Sequence, residues 1–160
     1  MSGSTDGKHT GWMIGGVLAG LFGAVSLAQG AEVSSPPLPR DARAALVYKS
    51  PYCGCCTGYV DFLKEQGVAV EVESVMDMEP VKRSLGIGKE MESCHTTRIG
   101  GYIVEGHVPL HILRRLLTEK PDIPGIALPG MPTGVPGMPG AKVKWTVYTL
   151  ETPPRVFAEE

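Results

Sequence analysis

Ala44-Ala45-Leu46-Val47-Tyr48-Lys49-Ser50-Pro51-Tyr52-Cys53-Gly54-Cys55-Cys56-Thr57-Gly58-Tyr59 is the stretch on which the fold turns. Ala44 to Tyr48 is a short apolar run that suits a buried strand. Ser50 and Pro51 then make a turn. Past the cysteines, Tyr59, Phe62 and Leu63 fall on one helical face, and Gly67 supplies a helix C-cap. The cysteines therefore sit in a strand-to-helix turn, at the start of a helix. Unpaired backbone N–H groups and the helix dipole both favour an anion there, so a thiolate is stabilised.

Working outward, residues 68–75 (VAVEVESV) alternate apolar and polar and predict a strand. Pro80 opens a short helix to about Leu85, punctuated by Gly86 and Gly88. Ile99 to Glu105 reads as one strand in spite of its two glycines. Pro109 suits the first turn of a helix whose apolar face is Leu110, Leu113, Leu116 and Leu117. Residues 143–149 (VKWTVYT) alternate again and predict the last strand. The order β-α-β-α-β-α-β predicts an α/β fold with a central mixed sheet flanked by helices. A C-x-x-C after the first strand makes that fold thioredoxin-like. Before the last strand lies Pro124–Gly140, a loop without a charged residue in which Pro-Gly-Met-Pro occurs at 129–132 and again at 136–139. It is either an extended wrap packed on the core or an arm that brings Met131 and Met138 to a metal.

The chain has 160 residues, 42% of them hydrophobic and 20% charged, enough for one domain with tails. Fifteen Lys and Arg against 17 Asp and Glu give a net charge of −2, so no basic field exists to hold nucleic acid or an anionic membrane surface. With 21 glycines and 14 prolines a helical bundle is disfavoured. Trp12 to Ala28 carries no charge, follows Lys8 and His9, and leads to the small-residue exits Ser26-x-Ala28 and Ala28-x-Gly30. That is the layout of a secretory signal peptide, or of an uncleaved N-terminal anchor. It falls short of the ~20 apolar residues of a full membrane span. The expected organisation is a signal segment over 1–30, a Pro/Ser-rich linker over 31–43, a metal-binding domain over 44–150 and a tail over 151–160. Export implies a compartment that permits disulfides.

Four cysteines are too few for a disulfide scaffold and enough for one redox or metal site. Cys53 and Cys56 form the C-x-x-C, and Cys55 is a third thiol beyond what a simple dithiol requires. The fourth lies in Ser93-Cys94-His95-Thr96. In a thioredoxin-like topology that loop faces the cysteine helix, so Cys94 and His95 are expected to meet Cys53, Cys55 and Cys56. Thiolate-rich sites select copper(I) first and zinc second. Structural zinc is usually held by two spaced pairs, whereas the crowded C-x-C-C fits sulfurs that bridge several copper(I) ions. The competing reading is two structural disulfides, which adjacent Cys55 and Cys56 make awkward. His107, in Gly106-His107-Val108-Pro109, is a ligand or a solvated turn residue. His111 belongs to the polar face of its helix with Arg114 and Arg115. Met76 and Met78 are expected in loop or core packing.

Taken in order, Cys53-Gly54-Cys55-Cys56, Ser93-Cys94-His95-Thr96, Gly101 to Pro109 (GYIVEGHVP) and Pro129-Gly130-Met131-Pro132 resemble the CopG-like family of exported metal-binding proteins, long described as a domain of unknown function. The resemblance spans about Leu46 to Tyr148. It implies a thioredoxin-like fold, a periplasmic location and a role in copper resistance. It further implies copper(I) held by Cys53, Cys55, Cys56 and Cys94, with His95 beside them and His107 at the Gly-His-Val-Pro position. Tyr59 stands where the family pattern has a tryptophan, a change expected to alter packing beside the site.

Two functions follow from the cysteines. One is copper(I) binding for copper tolerance, alternating with a metal-free disulfide such as Cys53–Cys56, since unpaired neighbouring thiolates repel one another. In that form the protein can be a copper-dependent oxidoreductase. The other is a metal-independent thiol–disulfide oxidoreductase, with Cys53 as nucleophile and Cys56 as resolving thiol. Copper ions, and other exported copper-handling proteins, are the expected partners. A scaffold role independent of the cysteines is a third possibility.

Overall fold

The structure is a computed structural model and describes residues 38–40 and 43–160. The expected signal segment, and most of the expected linker, lie outside the described residues.

Strand β1 (Ala44–Lys49), helix α1 (Gly54–Glu65) and strand β2 (Ala69–Ser74) form a parallel β-α-β unit. Gly67 follows the helix with φ +80, the left-handed conformation a non-glycine residue resists. Helix α2 (Glu79–Ser84) and a 3-10 turn (Lys89–Met91) lead to β3 (His95–Ile99), which returns antiparallel beside β1. Strand β4 (Tyr102–Glu105) pairs antiparallel with β3 and is followed by α3 (Leu110–Glu119). This is a thioredoxin-like core. The sheet then continues through β5 (Gly125–Ala127), β6 (Thr146–Thr149) and β7 (Val156–Glu159), in the order β2-β1-β3-β4-β5-β6-β7. Both parallel and antiparallel pairs occur, so the sheet is mixed as expected.

Three expectations change. The single strand over 99–105 is instead a hairpin, because Gly100 and Gly101 adopt φ +57 and +87 and turn the chain back on itself. Within the Pro/Gly loop, Gly125–Ala127 forms the short strand β5 against β4. The last ten residues are not merely a tail: β7 pairs with β6 and extends the sheet.

The main core gathers Tyr59, Val60 and Leu63 of α1 with Leu113, Leu116 and Leu117 of α3. They pack on Val47, Ile99, Val104, Ile126 and Val147 of the sheet. Full burial of each such aliphatic side chain contributes roughly 1.5–3 kcal/mol. A second cluster buries Ile87, Met91 and Ala127, with Ile103 and Tyr148 packed against it. Met91 thus anchors the chain just before Cys94. No helix among the described residues is long and apolar enough to cross a membrane.

Candidate metal site

The turn between β1 and α1 delivers three sulfurs. Cys53 is the N-cap of α1 in extended conformation (φ −81, ψ 98), and its Sγ accepts from the Cys56 N–H at 3.3 Å. Cys53 and Cys56 are joined as a disulfide, and Cys56 is fully buried. Cys55 and Cys94 are free thiols. The Cys55 Sγ lies 3.4 Å from Cys53 Sγ and 3.9 Å from Cys94 Sγ. Cys56 Sγ is 3.6 Å from the Cys94 carbonyl oxygen. All four sulfurs fall within 4.8 Å of one another. Two structural disulfides are therefore not what the chain holds. The loop before β3 does face the cysteine helix, because β3 runs antiparallel beside β1 and starts where β1 ends, Lys49 pairing with His95.

Cys94, His95 and His107 form a second convergent group that shares the Cys94 sulfur. His107 Nε2 is 3.0 Å from Cys94 Sγ, closer than His95 Nδ1 at 3.4 Å. The other nitrogen of His107, Nδ1, lies 2.7 Å from the Pro136 carbonyl. A carbonyl only accepts, so Nδ1 carries the proton and the Nε2 lone pair faces the thiol. A backbone acceptor of this kind orients histidine ligands at metal sites. His107 is buried, so it is not a solvated turn residue. His95 is also buried, and its Nε2 has no hydrogen-bond partner.

Tyr59 holds both imidazoles in place. Its hydroxyl donates to the Val108 carbonyl at 2.9 Å, and its ring centroid lies 4.7 Å from that of His95 and 5.3 Å from that of His107. Burial pushes the Tyr59 phenol up, out of the range where it ionises. Burial also lowers His107, and lowers His95 further, the latter with help from His107, Lys82 and Lys49. Both imidazoles are neutral at pH 7 and offer lone pairs. Burial, and then the neighbouring Cys55, push the Cys94 thiol up to about 12. Without a cation Cys94 keeps its proton. The donor set is thus soft and partly buried, and loading it with a metal displaces the Cys94 proton.

Two solved structures resemble this chain over about three quarters of its length. Copper resistance protein CopG, form 1, is 37% identical with a TM-score of 0.68, the match covering 74% of this chain and 98% of that one. Form 2 of the same protein is 37% identical with a TM-score of 0.69, the match covering 78% and 99%. The chain belongs to the CopG family. A family model described as a protein of unknown function, DUF411, matches residues 91–138 of this chain. That span includes Cys94, His95 and His107 and omits the α1 thiols. Curated proteins gave no match.

In this chain the Pro/Gly loop is a wrap. A Cβ on Gly137 would come within 2.7 Å of the Tyr59 nitrogen and 2.9 Å of the Cys55 carbonyl, so the loop backbone lies directly on α1. Met138 packs against the main core, while Met131 is 58% exposed. Ser93 Oγ donates to the Gly130 carbonyl at 2.5 Å, which fixes the loop beside Cys94. His111 is exposed and pairs with Glu160 at 2.6 Å. Met76 is exposed and Met78 caps α2.

Sequence reasoning passed over Lys82 and Glu105, both buried and ion-paired to each other. Burial raises the Glu105 carboxyl against the pull of Lys82. The only signal in the sequence was an acid ending an otherwise apolar strand.

Proposed function

We propose that this chain is an exported, periplasmic copper(I)-binding protein of copper resistance. Four sulfurs within 4.8 Å of one another, sharing Cys94 with two neutral imidazoles, carry the proposal. Copper(I) is soft and accepts low coordination numbers of thiolate and imidazole, so the residues fit it better than they fit calcium or magnesium. Cys53, Cys55, Cys56 and Cys94 would hold it, with His107 and His95 at the Cys94 side. Met131 and Met138 stay secondary candidates, because one faces solvent and the other faces the core. Crowded thiolates repel, and a bridging cation between sulfurs relieves that charge, so more than one copper per chain is expected. Zinc is the less favoured ion.

The disulfide sets the entry condition. An external dithiol must give two electrons and two protons to the Cys53–Cys56 bond before both sulfurs become ligands. This alternation leaves room for a second function, thiol–disulfide exchange without metal. One observation favours it: the resolving position Cys56 is buried while Cys53 is half-buried at the helix N-terminus.

Anaerobic titration of the reduced protein with copper(I) separates the two. Elemental analysis would count copper while a parallel assay counts free thiols. The expected result is more than one copper per chain, all four thiols protected and uptake that strengthens with rising pH, since Cys94 must lose its proton. Failure to hold copper against a modest competitor, together with a readily cycling disulfide, would favour the metal-free oxidoreductase.

A further inference from the structure

We infer that the buried Lys82–Glu105 pair is a clamp that positions Cys94 for the metal. The inference rests on the copper reading of Cys94 given above. Glu105 Oε1 accepts from the Ser93 backbone N–H at 2.7 Å. Its Oε2 accepts from the Thr96 hydroxyl at 2.5 Å, Thr96 standing directly opposite in the β3–β4 pairing. Lys82, ion-paired to Oε1, donates to the Ser93 carbonyl at 2.9 Å. One carboxylate and one ammonium thus grip the chain on both sides of Cys94-His95. Gly106 tightens the same joint: its N–H donates to the His95 carbonyl at 3.0 Å. A Cβ on Gly106 would fall 2.7 Å from Ser93 Oγ. The next residue is His107, whose Nε2 meets the Cys94 sulfur. A single three-residue segment, Glu105-Gly106-His107, therefore fixes the backbone around Cys94 and supplies the nitrogen beside its sulfur.

Stability alone is a poor reason for such a pair. Isolated buried charges are costly to desolvate, and apolar replacement of a whole buried pair is often neutral. Each polar arm here ends on a residue flanking Cys94-His95, and none reaches the α1 thiols. The pair is a positioning device: it holds Cys94 Sγ at 3.9 Å from Cys55 Sγ, across the gap between two elements that the sequence separates by 39 residues.

The test compares the wild-type chain with two double variants, Lys82→Met with Glu105→Leu, and Lys82→Met with Glu105→Gln. Both remove the charges together, so neither leaves an uncompensated ion. The glutamine keeps an acceptor for the Ser93 N–H and the leucine keeps none. Copper(I) affinity is read by competition. In the metal-free reduced protein, mass-resolved labelling gives the rate at which a thiol reagent modifies Cys94, with Cys53 as internal control. The leucine double is expected to lose affinity by about 10- to 100-fold, the range for partners that orient metal ligands. The glutamine double is expected to lose less. Labelling at Cys94 should accelerate in the same order while Cys53 stays constant. Unchanged affinity and unchanged Cys94 labelling in the folded doubles would overturn the clamp, as would equal acceleration at Cys53 and Cys94. Should the leucine double fail to fold, the glutamine double decides alone, since it lacks the lysine tie to Ser93. A wild type that holds no copper would remove the copper reading instead, and the labelling rates would still decide the clamp.

Discussion

Cys94→Ser is expected to lower copper(I) affinity at least about 100-fold and to reduce the copper held per chain. Cys94 is the one sulfur shared by both convergent groups. It lies 3.9 Å from Cys55 Sγ and 3.0 Å from His107 Nε2, so it joins the α1 thiols to the imidazoles. A serine hydroxyl is a hard donor that stays protonated, and copper(I) discriminates against it. The fold should hardly notice, because the replacement is near-isosteric and the ion pair beside it is untouched; a stability change under about 1 kcal/mol is expected. The Cys53–Cys56 disulfide should still form, which separates a loss of ligand from a loss of structure. Competition titrations on both proteins, with denaturation curves beside them, give the measurement. Equal loading would mean that the metal, if bound, uses the α1 sulfurs alone.

The second large effect is expected from Gly137→Ala. Gly137 has φ +77, where an L side chain costs roughly 1–2 kcal/mol. The added Cβ would also press on backbone, at 2.7 Å from the Tyr59 nitrogen and 2.9 Å from the Cys55 carbonyl. Helix α1 cannot yield there without losing its first turn, so the loop must lift. Lifting it draws the Pro136 carbonyl away from His107 Nδ1, now 2.7 Å apart. A stability loss of about 2–4 kcal/mol is expected, together with weaker copper binding. Gly130→Ala is the control. Gly130 has φ +70 but nothing within 4 Å of its would-be Cβ, so only the backbone cost of about 1–2 kcal/mol remains. Denaturant midpoints of the two variants distinguish strain from clash; equal losses would contradict the close packing of loop on helix.

The contrast between these two sites marks what the sequence makes legible. The β1–α1 turn can be read directly, because a strand-length apolar run, a C-x-C-C and a helical face lie within 20 residues of one another and act locally. Cys94 and His95 can be placed near them from topology, since an α/β chain of this order brings the start of β3 beside the end of β1. His107 is different. Whether it is solvated depends on a loop some 30 residues later that closes over it, and proline-glycine composition does not say where such a loop lies. The hairpin at Gly100-Gly101 escaped because neither β3 nor β4 alternates, β3 being buried at every residue but Arg98 and β4 at its last two, so only the positive φ of the two glycines marks where the chain reverses. Strands β5 and β7 have three and four residues, too few for periodicity to show, and exist because a neighbour pairs with them. Lys82 and Glu105 lie 23 residues apart, and each alone resembles an ordinary surface charge.

Copper itself can be asked which atoms hold it. Copper K-edge X-ray absorption on the reduced protein, loaded anaerobically with copper(I) and freed of excess metal, reports the first coordination shell. A shell dominated by sulfur, with a minor nitrogen contribution that falls in His107→Phe, is the result expected here. A shell of nitrogen and oxygen alone, or no copper retained, would contradict a thiolate site built from Cys53, Cys55, Cys56 and Cys94.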